Sequence, residues 1–309
     1  MTGFSIRQFL FSICFCGALL TVSGQEMIHK QAICFISDTQ EPLPSEKLVL
    51  KPYRNAEARD SLFTDILRIR PRALFMLGDL ESRGSREKSW TPLDSFLGKT
   101  EKTATPVYVI PGNHEYMSSL SGGIKGFTSR FGTSGLEGYS IKIDSTAVIM
   151  LNTNFRKMGE ESADKEVRWY LREIDSLENS SSIANIIVCV HQAPFSNSKI
   201  VGSSVDVEEK IVPAFENTVK AKLLISGHSH NLEYFEGKNH KHYLVAGGGG
   251  GIAQPLLSGA KAKYADLTDQ SAKPLYFYII LENTNGRMKI IARGLDHDFH
   301  FFELAIGEI

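Results

Sequence analysis

Short runs of consecutive apolar residues recur along the chain, and most are followed at once by a polar residue. Ala32 to Ile36, Ala73 to Leu77, Val107 to Ile110, Ala147 to Leu151, Ile186 to Val190 and Leu223 to Ile225 are too short for helices. They are also too apolar to face water on either side, which predicts buried strands. Between them the apolar spacing becomes helical. Over Ala56 to Ile69, the residues Leu62, Phe63, Ile66 and Ile69 share one face, with Asn55 as the expected cap and Pro71 just past the end. Asp164 to Leu177 predicts a second amphipathic helix through Val167, Leu171, Ile174 and Leu177. From Leu232 onward the texture changes to strand-like segments with hairpin signals. These are Gly237-Lys238-Asn239, and Asn283-Thr284-Asn285-Gly286 between Tyr276–Leu281 and Met288–Ala292. The first half therefore reads as βαβ and the last quarter as an antiparallel sheet. No internal repeat or clear linker divides them, so one continuous α/β domain with two sheets is expected.

Five of the runs end in the same manner. Ile33-Cys34-Phe35-Ile36 runs into Ser37-Asp38, and Leu74-Phe75-Met76-Leu77 into Gly78-Asp79. Val107-Tyr108-Val109-Ile110 runs into Pro111-Gly112-Asn113-His114-Glu115. Ile187-Val188-Cys189-Val190 runs into His191, and Leu223-Leu224-Ile225 into Ser226-Gly227-His228-Ser229-His230. Each end carries a side chain able to bind a metal. If the strands are parallel neighbours, all five groups converge on one edge, outside the carboxyl ends of the strands. Any one piece is weak evidence: an Asp after a strand is usually a cap, and Gly-Asp usually a turn. His240-Lys241-His242, His297 and His300 are read as surface residues. The five pieces together fit two metal ions. Carboxylates and amide oxygens are hard ligands, while imidazoles suit Zn, Fe and Mn. One Asp can bridge two ions about 4 Å apart, a pair that supplies hydroxide near neutral pH. On an extended segment His228 and His230 share a face, so each can reach one of two adjacent ions.

Composition narrows the partners. The 309 residues carry a formal net charge of -1 and a pI near 6.8, which argues against nucleic acid, since phosphate-backbone binding needs a basic excess. A small phosphorylated substrate remains compatible. The N-terminus reads as an export signal. Arg7 precedes an apolar stretch from Phe9 to Leu20, and Val22-Ser23-Gly24 offers small residues before Gln25. The expected organisation is a signal peptide over residues 1–24 and a single domain over 25–309. No transmembrane anchor is expected after cleavage, and the location is secreted or periplasmic. Cleavage leaves Cys34 and Cys189, expected as buried free thiols.

The strand-end blocks resemble those of the calcineurin-like metallophosphoesterase superfamily. The Gly-Asn-His-Glu and Gly-His-x-His blocks are the most specific marks, and the similarity runs from about Ala32 to His230. The resemblance implies a two-sheet β-sandwich flanked by helices, with a dinuclear site holding divalent or trivalent Fe, Mn or Zn. It implies that Asp38 and His230 bind the first metal, that Asp79 bridges, and that Asn113, His191 and His228 bind the second. It also implies that His114 contacts the phosphate or protonates the leaving oxygen. Gly78-Asp79-Leu80-Glu81-Ser82-Arg83-Gly84 is similar to the family's Gly-Asp-x-x-Asp-Arg-Gly block, which places Arg83 near the phosphate. There are two departures. The first block usually reads Asp-x-His and here contains Gln40, an amide and a poorer ligand for a transition metal. The first site is then expected to bind more weakly, admit an extra water or prefer a harder ion. Ser82 stands where protein-phosphatase members carry an Asp that pairs with the catalytic His, leaving Glu115, Glu81 or the backbone to orient His114. The expected activity is metal-dependent hydrolysis of phosphate esters. Monoesters are the preferred class, with nucleotide or lipid-head-group diesters as the alternative. A non-catalytic binding protein on the same fold is the contrasting expectation. Gly247 to Gly251 is expected to bring backbone close to the substrate, and Trp90, Tyr116 and Phe195 are candidate pocket-lining aromatics.

Overall fold

The computed structural model describes residues 32–117, 123–269, 271–284 and 287–309. The expected signal peptide and the hairpin tip at 285–286 lie outside these residues. In chain order the elements are β1 (Ile33–Ile36), α1 (Asn55–Ile69), β2 (Ala73–Met76), α2 (Thr91–Thr103), β3 (Val107–Val109) and α3 (Gly123–Phe131). Then come β4 (Tyr139–Ile143), β5 (Thr146–Met150), α4 (Phe155–Met158), α5 (Glu160–Asn179), β6 (Asn185–Cys189), α6 (Val205–Lys210) and α7 (Val212–Asn217). The chain finishes with β7 (Ala221–Ser226), β8 (Leu232–Glu236), β9 (His242–Ala246), β10 (Tyr276–Thr284), β11 (Arg287–Leu295) and β12 (Phe301–Glu308).

The strands form two six-stranded sheets, ordered β12-β11-β10-β1-β2-β3 and β4-β5-β6-β7-β9-β8. β1, β2 and β3 run parallel, as do β5, β6, β7 and β9. The expected separate antiparallel sheet does not form. β8 and β9 extend the second sheet, while β10 pairs antiparallel with β1 and carries β11 and β12 onto the first. The expected single edge of strand ends is likewise replaced: β1, β2 and β3 supply it from one sheet, β6 and β7 from the other.

The sheets face each other across an apolar layer that includes Phe35, Phe75, Met150, Ile187, Ile225, Leu244 and Ile279. Phe75 stacks between Phe35 and Tyr108, with ring centroids 5.0 and 5.2 Å away. Such pairs add about 0.5–1.5 kcal/mol each beyond area burial. Helices α1, α2 and α3 cover the outer face of the first sheet; α5, α6 and α7 cover that of the second. This double coverage explains why the strands read as unbroken apolar runs. Cys34 and Cys189 are buried free thiols on different faces.

Two helices depart from their expected detail. Asn55 is the first residue of α1 and not its cap, which falls on Arg54 in left-handed backbone at φ 50°. The Asn55 side chain instead accepts from Tyr53 N–H and donates to Gly250 O at 2.8 Å, tying the glycine run down. In α5 the buried stripe is Ala163, Glu166, Tyr170, Ile174 and Leu177, and Leu171 is 46% exposed. Tyr170, one residue back, takes the inward position because it continues the four-and-three spacing from Ala163 to Leu177.

Tyr139 closes a gap between the sheets. Its phenol accepts from Val109 N–H (2.8 Å) and donates to Val109 O (2.7 Å). One side chain thus occupies a donor and an acceptor on the outer edge of β3, which would otherwise be open for pairing.

Candidate metal centre

The backbone leaves each strand abruptly where the polar residues begin. Asp38, Asp79, His228 and His230 all adopt left-handed backbone, with φ of 60°, 49°, 68° and 42°. Asp and His tolerate this region better than most residues, yet it costs about 1 kcal/mol each. Tertiary hydrogen bonds hold it. Asp38 N–H donates to Gly78 O, Gln40 N–H to Asp79 O, Gly227 N–H to His191 O and Gly251 N–H to Asp38 O, at 2.8–3.2 Å. His228 N–H donates to the Asp38 carboxylate at 2.9 Å. Glu115 fastens the turns after β2 and β3 together. Its carboxylate accepts from the N–H groups of Asp79 (2.9 Å), Leu80 (2.8 Å), Glu81 (3.1 Å) and Gly112 (2.7 Å). Burial and the Asp79 charge push its pKa up to about 7, while these N–H donors favour the carboxylate. Gly112 permits the approach: a Cβ there would sit 2.2 Å from Asp79 Oδ1.

Two triads of ligand atoms result, each within 4.8 Å: Asp79 with His191 and His228, and Asp38 with Asp79 and His230. Asp79 belongs to both. Its Oδ1 accepts from His114 N–H at 2.8 Å. Its Oδ2 is buried, makes no hydrogen bond, and lies 3.2 Å from His191 Nε2 and 3.8 Å from His114 Nε2. An orphaned buried carboxylate oxygen fits a site made for cations. His191 Nδ1 meets Leu77 O and His230 Nδ1 meets Ile252 O, both at 2.8 Å. Backbone carbonyls thus take the Nδ1 protons and leave the Nε2 lone pairs facing inward, the usual support for metal-binding imidazoles. Asn113 Oδ1 lies 3.2 Å from His191 Nε2. Gln40, oriented by its hydrogen-bond partners, donates Nε2 to Asp38 O (3.2 Å) and Asp79 O (2.8 Å). Its Oε1 then faces His230 Nε2 at 3.1 Å. The oxygen and nitrogen donors present therefore fit two adjacent ions.

Electrostatics separates the histidines. Burial works against a proton on His191, but the Asp79 carboxylate outweighs it and raises the pKa to about 9. Burial also opposes a proton on His230, and Asp38 again prevails and raises its pKa. His228 is held neutral, its pKa lowered to about 4 by burial and by the His191 charge. Burial disfavours ionised Asp79, yet His191, His114 and His228 together hold its carboxyl far below the usual range.

His114 lies at this cluster with Nε2 3.8 Å from Asp79 Oδ2. Its Nδ1 meets Ser82 O at 3.0 Å, so the backbone orients it in place of the missing acid. Arg83 is exposed and makes no side-chain hydrogen bond among the described residues. The glycine run is buried and packs on Asp38 and His230. A Cβ on Gly247 would meet His230 N at 2.6 Å, and one on Gly251 the His230 ring at 2.6 Å. Gly251→Ala is therefore expected to dislodge His230 and lower activity at fixed metal roughly 10–100-fold. Metal analysis should show less than full occupancy beside Asp38. Trp90 and Phe195 pack in cores, whereas Tyr116 lines a cavity. His240, His297 and His300 are exposed, while His242 is half-buried against the Tyr234 hydroxyl at 2.9 Å.

A cleft of about 310 Å³ opens beside Asn113 and His228, walled by Thr153, Asn154, Gln192, Arg156 and Lys157. Sequence reasoning passed over Asn152-Thr153-Asn154, which follows β5. The signal was present: Val148-Ile149-Met150-Leu151 is another apolar run ending in polar residues. These amides form a network, in which Gln192 donates to Asn154 Oδ1 (3.0 Å) and Asn154 to Pro111 O (2.9 Å).

Residues 32–232 match the calcineurin-like phosphoesterase family. The chain belongs to that family. As a calcineurin-like phosphoesterase it is a metal-dependent phosphoesterase with a dinuclear divalent metal centre, for which the two triads supply candidate ligands. Among curated proteins none matches it. A dimetal phosphatase from Danio rerio superposes with a TM-score of 0.59 at 12% identity, covering 90% of this chain and 99% of that one. A purple acid phosphatase from yellow lupin seeds gives 0.63 at 16% identity, over 88% of this chain and 52% of that one. GAP50, the anchor in the inner membrane complex of Plasmodium, gives 0.59 at 14%, over 90% and 89%. At these identities the likeness shows the shared fold.

Proposed function

We propose that this calcineurin-like phosphoesterase is an exported phosphomonoesterase in which His114 protonates the leaving oxygen. The observation that carries the hydrolytic reading is the membership of Asp79 in both ligand triads. In this reading Asp38, Gln40, Asp79 and His230 hold one ion, and Asp79, Asn113, His191 and His228 hold the other. Mixed oxygen and imidazole donors favour Fe, Mn or Zn. Bound there, the ions would supply Lewis-acid activation of water and neutralise charge on the phosphoryl oxygens. Gln40 contributes Oε1, its amide locked by two backbone carbonyls. His114 is oriented through Nδ1 by Ser82 O, which turns Nε2, the atom on the Asp79 side, into the position from which a proton would pass to the leaving oxygen. Lys157, with Arg156 paired to Asp206 at 3.0 Å beside it, lines the cleft and suits a dianionic monoester better than a monoanionic diester. The exposed Arg83 is left out of the machinery. The export reading rests on Arg7, the Phe9–Leu20 stretch and Val22-Ser23-Gly24. No helix among the described residues is long and apolar enough to cross a membrane.

The test compares p-nitrophenyl phosphate with its bis-ester on metal-loaded protein, expecting kcat/KM at least about tenfold higher for the monoester. His114→Asn is expected to lower kcat on an alkyl monoester by roughly 10²–10⁴. The nitrophenyl ester should suffer less, because nitrophenolate leaves without a proton. Preference for the bis-ester, or equal losses on both leaving groups, would sink the reading. N-terminal sequencing of recovered protein should begin near Gln25, and a start at Met1 refutes cleavage.

A further inference from the structure

A second cavity, of about 450 Å³, adjoins the metal cleft and is lined by Tyr116, Ile124, Leu136, Met158, Trp169 and Lys157, among others. Its volume falls in the range of small-molecule sites. Two chain segments connect it to the metal centre. The turn that begins at Asn113 ends at Tyr116, whose N–H donates to Asn113 O at 3.2 Å. Such a turn keeps its ends within about 7 Å. The polar ridge after β5 runs the same way. Thr153 and Asn154 face the metal cleft, while Asn152 Nδ2 donates to Tyr116 Oη at 2.9 Å. Lys157 lines both spaces.

Packing and hydrogen bonds brace the walls. Trp169 packs against Gly138, where a Cβ would be 2.5 Å from the indole. Glu166 is buried, and its carboxylate accepts from Gly138 N–H (2.7 Å) and Asn152 N–H (2.8 Å), joining the loop before β4 to the ridge. Its oxygens are engaged in holding the wall. The cavity offers a ligand the side chains of Tyr116 and Trp169, with Lys157 shared with the metal cleft and Glu137, Lys165 and Arg172 also on its lining.

We infer that this cavity receives the organic part of the substrate, and that this part carries an aromatic ring, an aryl group or a nucleobase. The inference rests on the phosphoesterase reading of the neighbouring metal centre. Immobilised Tyr and Trp faces favour a flat ring, which stacks at little entropic cost. With the phosphoryl group at Asn113 and His228, a ring attached through its ester oxygen or a short linker reaches past Tyr116. Lys157 meets the negative charge at the join.

The experiment uses metal-loaded protein with phenylphosphonate, methylphosphonate and octylphosphonate, with calorimetry as the binding readout. Phenylphosphonate is expected to bind about tenfold tighter than the methyl compound. It should also quench tryptophan emission, because Trp169 lines the cavity and the other tryptophan, Trp90, is fully buried. Trp169→Ala should erase the phenyl preference and leave methylphosphonate binding unchanged. Leu136→Trp, which fills the slot, should do the same without removing the indole. If methylphosphonate binds and phenyl adds nothing, or octyl matches phenyl, the aromatic slot is refuted while the metal-centre reading stands. If no phosphonate binds and no ester is cleaved, both fall.

Discussion

Asp79→Asn is expected to lower phosphoester hydrolysis on the order of a thousandfold. The residue joins both candidate triads, so in the proposed centre its charge would serve both ions. Loss of several kcal/mol of charge stabilisation corresponds to about 10³ in rate. Asparagine keeps an oxygen that can accept from His114 N–H, as Asp79 Oδ1 does at 2.8 Å, so the turn is expected to survive. The readouts are kcat/KM, metal content and circular dichroism. Content should fall from two ions per chain to one or fewer with the fold retained. Unchanged metal content and activity would show that Asp79 does not bridge.

The second large effect is on pH. In the metal-free protein His191 keeps its proton to about pH 9, whereas a metal needs the neutral ring. His228, with its pKa near 4, has no proton to lose above pH 5. Capture of an ion beside His191 thus releases one proton, and Mn affinity should rise about tenfold per pH unit from 6 to 9, then level off. Metal-free stability runs the opposite way. The folded pKa of about 9 exceeds the ordinary 6.5, so the contribution of protonated His191 is full below pH 6.5 and is lost as pH rises through 9. Chelated protein should therefore melt at lower temperature at pH 9 than at pH 6.5. Titrations at several pH values, with melting curves in chelator, check both. A flat affinity between pH 6 and 9 would overturn the assignment of His191 as the proton-holding ligand.

The positions that gather in the two candidate triads were legible because each follows an apolar run with at most a few residues between, and strand periodicity survives in one sequence. The family resemblance added the expectation of one centre; the match over residues 32–232 bears out the family itself. The division into two sheets was not legible. Nothing between Val109 and Tyr139 marks the chain leaving one sheet for the other, and β4 is a partly exposed edge strand with weak patterning. Glu115 was also opaque. Its partners Asp79, Leu80 and Glu81 lie far off in sequence, and a buried carboxylate looks like any other Glu until its donors are seen. The packing of the glycine run was hidden for the same reason: its close neighbours Asp38 and His230 follow other strands. Leu171 and Tyr170 stand side by side, and only the packed helix shows which faces inward.

β1 takes one neighbour from the next strand along the chain and the other from near the end, with Ile33 opposite Leu281. Closing that pair spans most of the polypeptide, a slow and entropically costly step. A nascent chain that has reached His230 already carries every ligand, yet β1 still has one bare edge, built from Ile33 to Ile36. Such an edge pairs readily with other chains. Assembly of the hydrolytic centre is therefore timed by the emergence of the C-terminal hairpin, and a ribosome stalled before residue 276 would release a ligand-complete but association-prone intermediate.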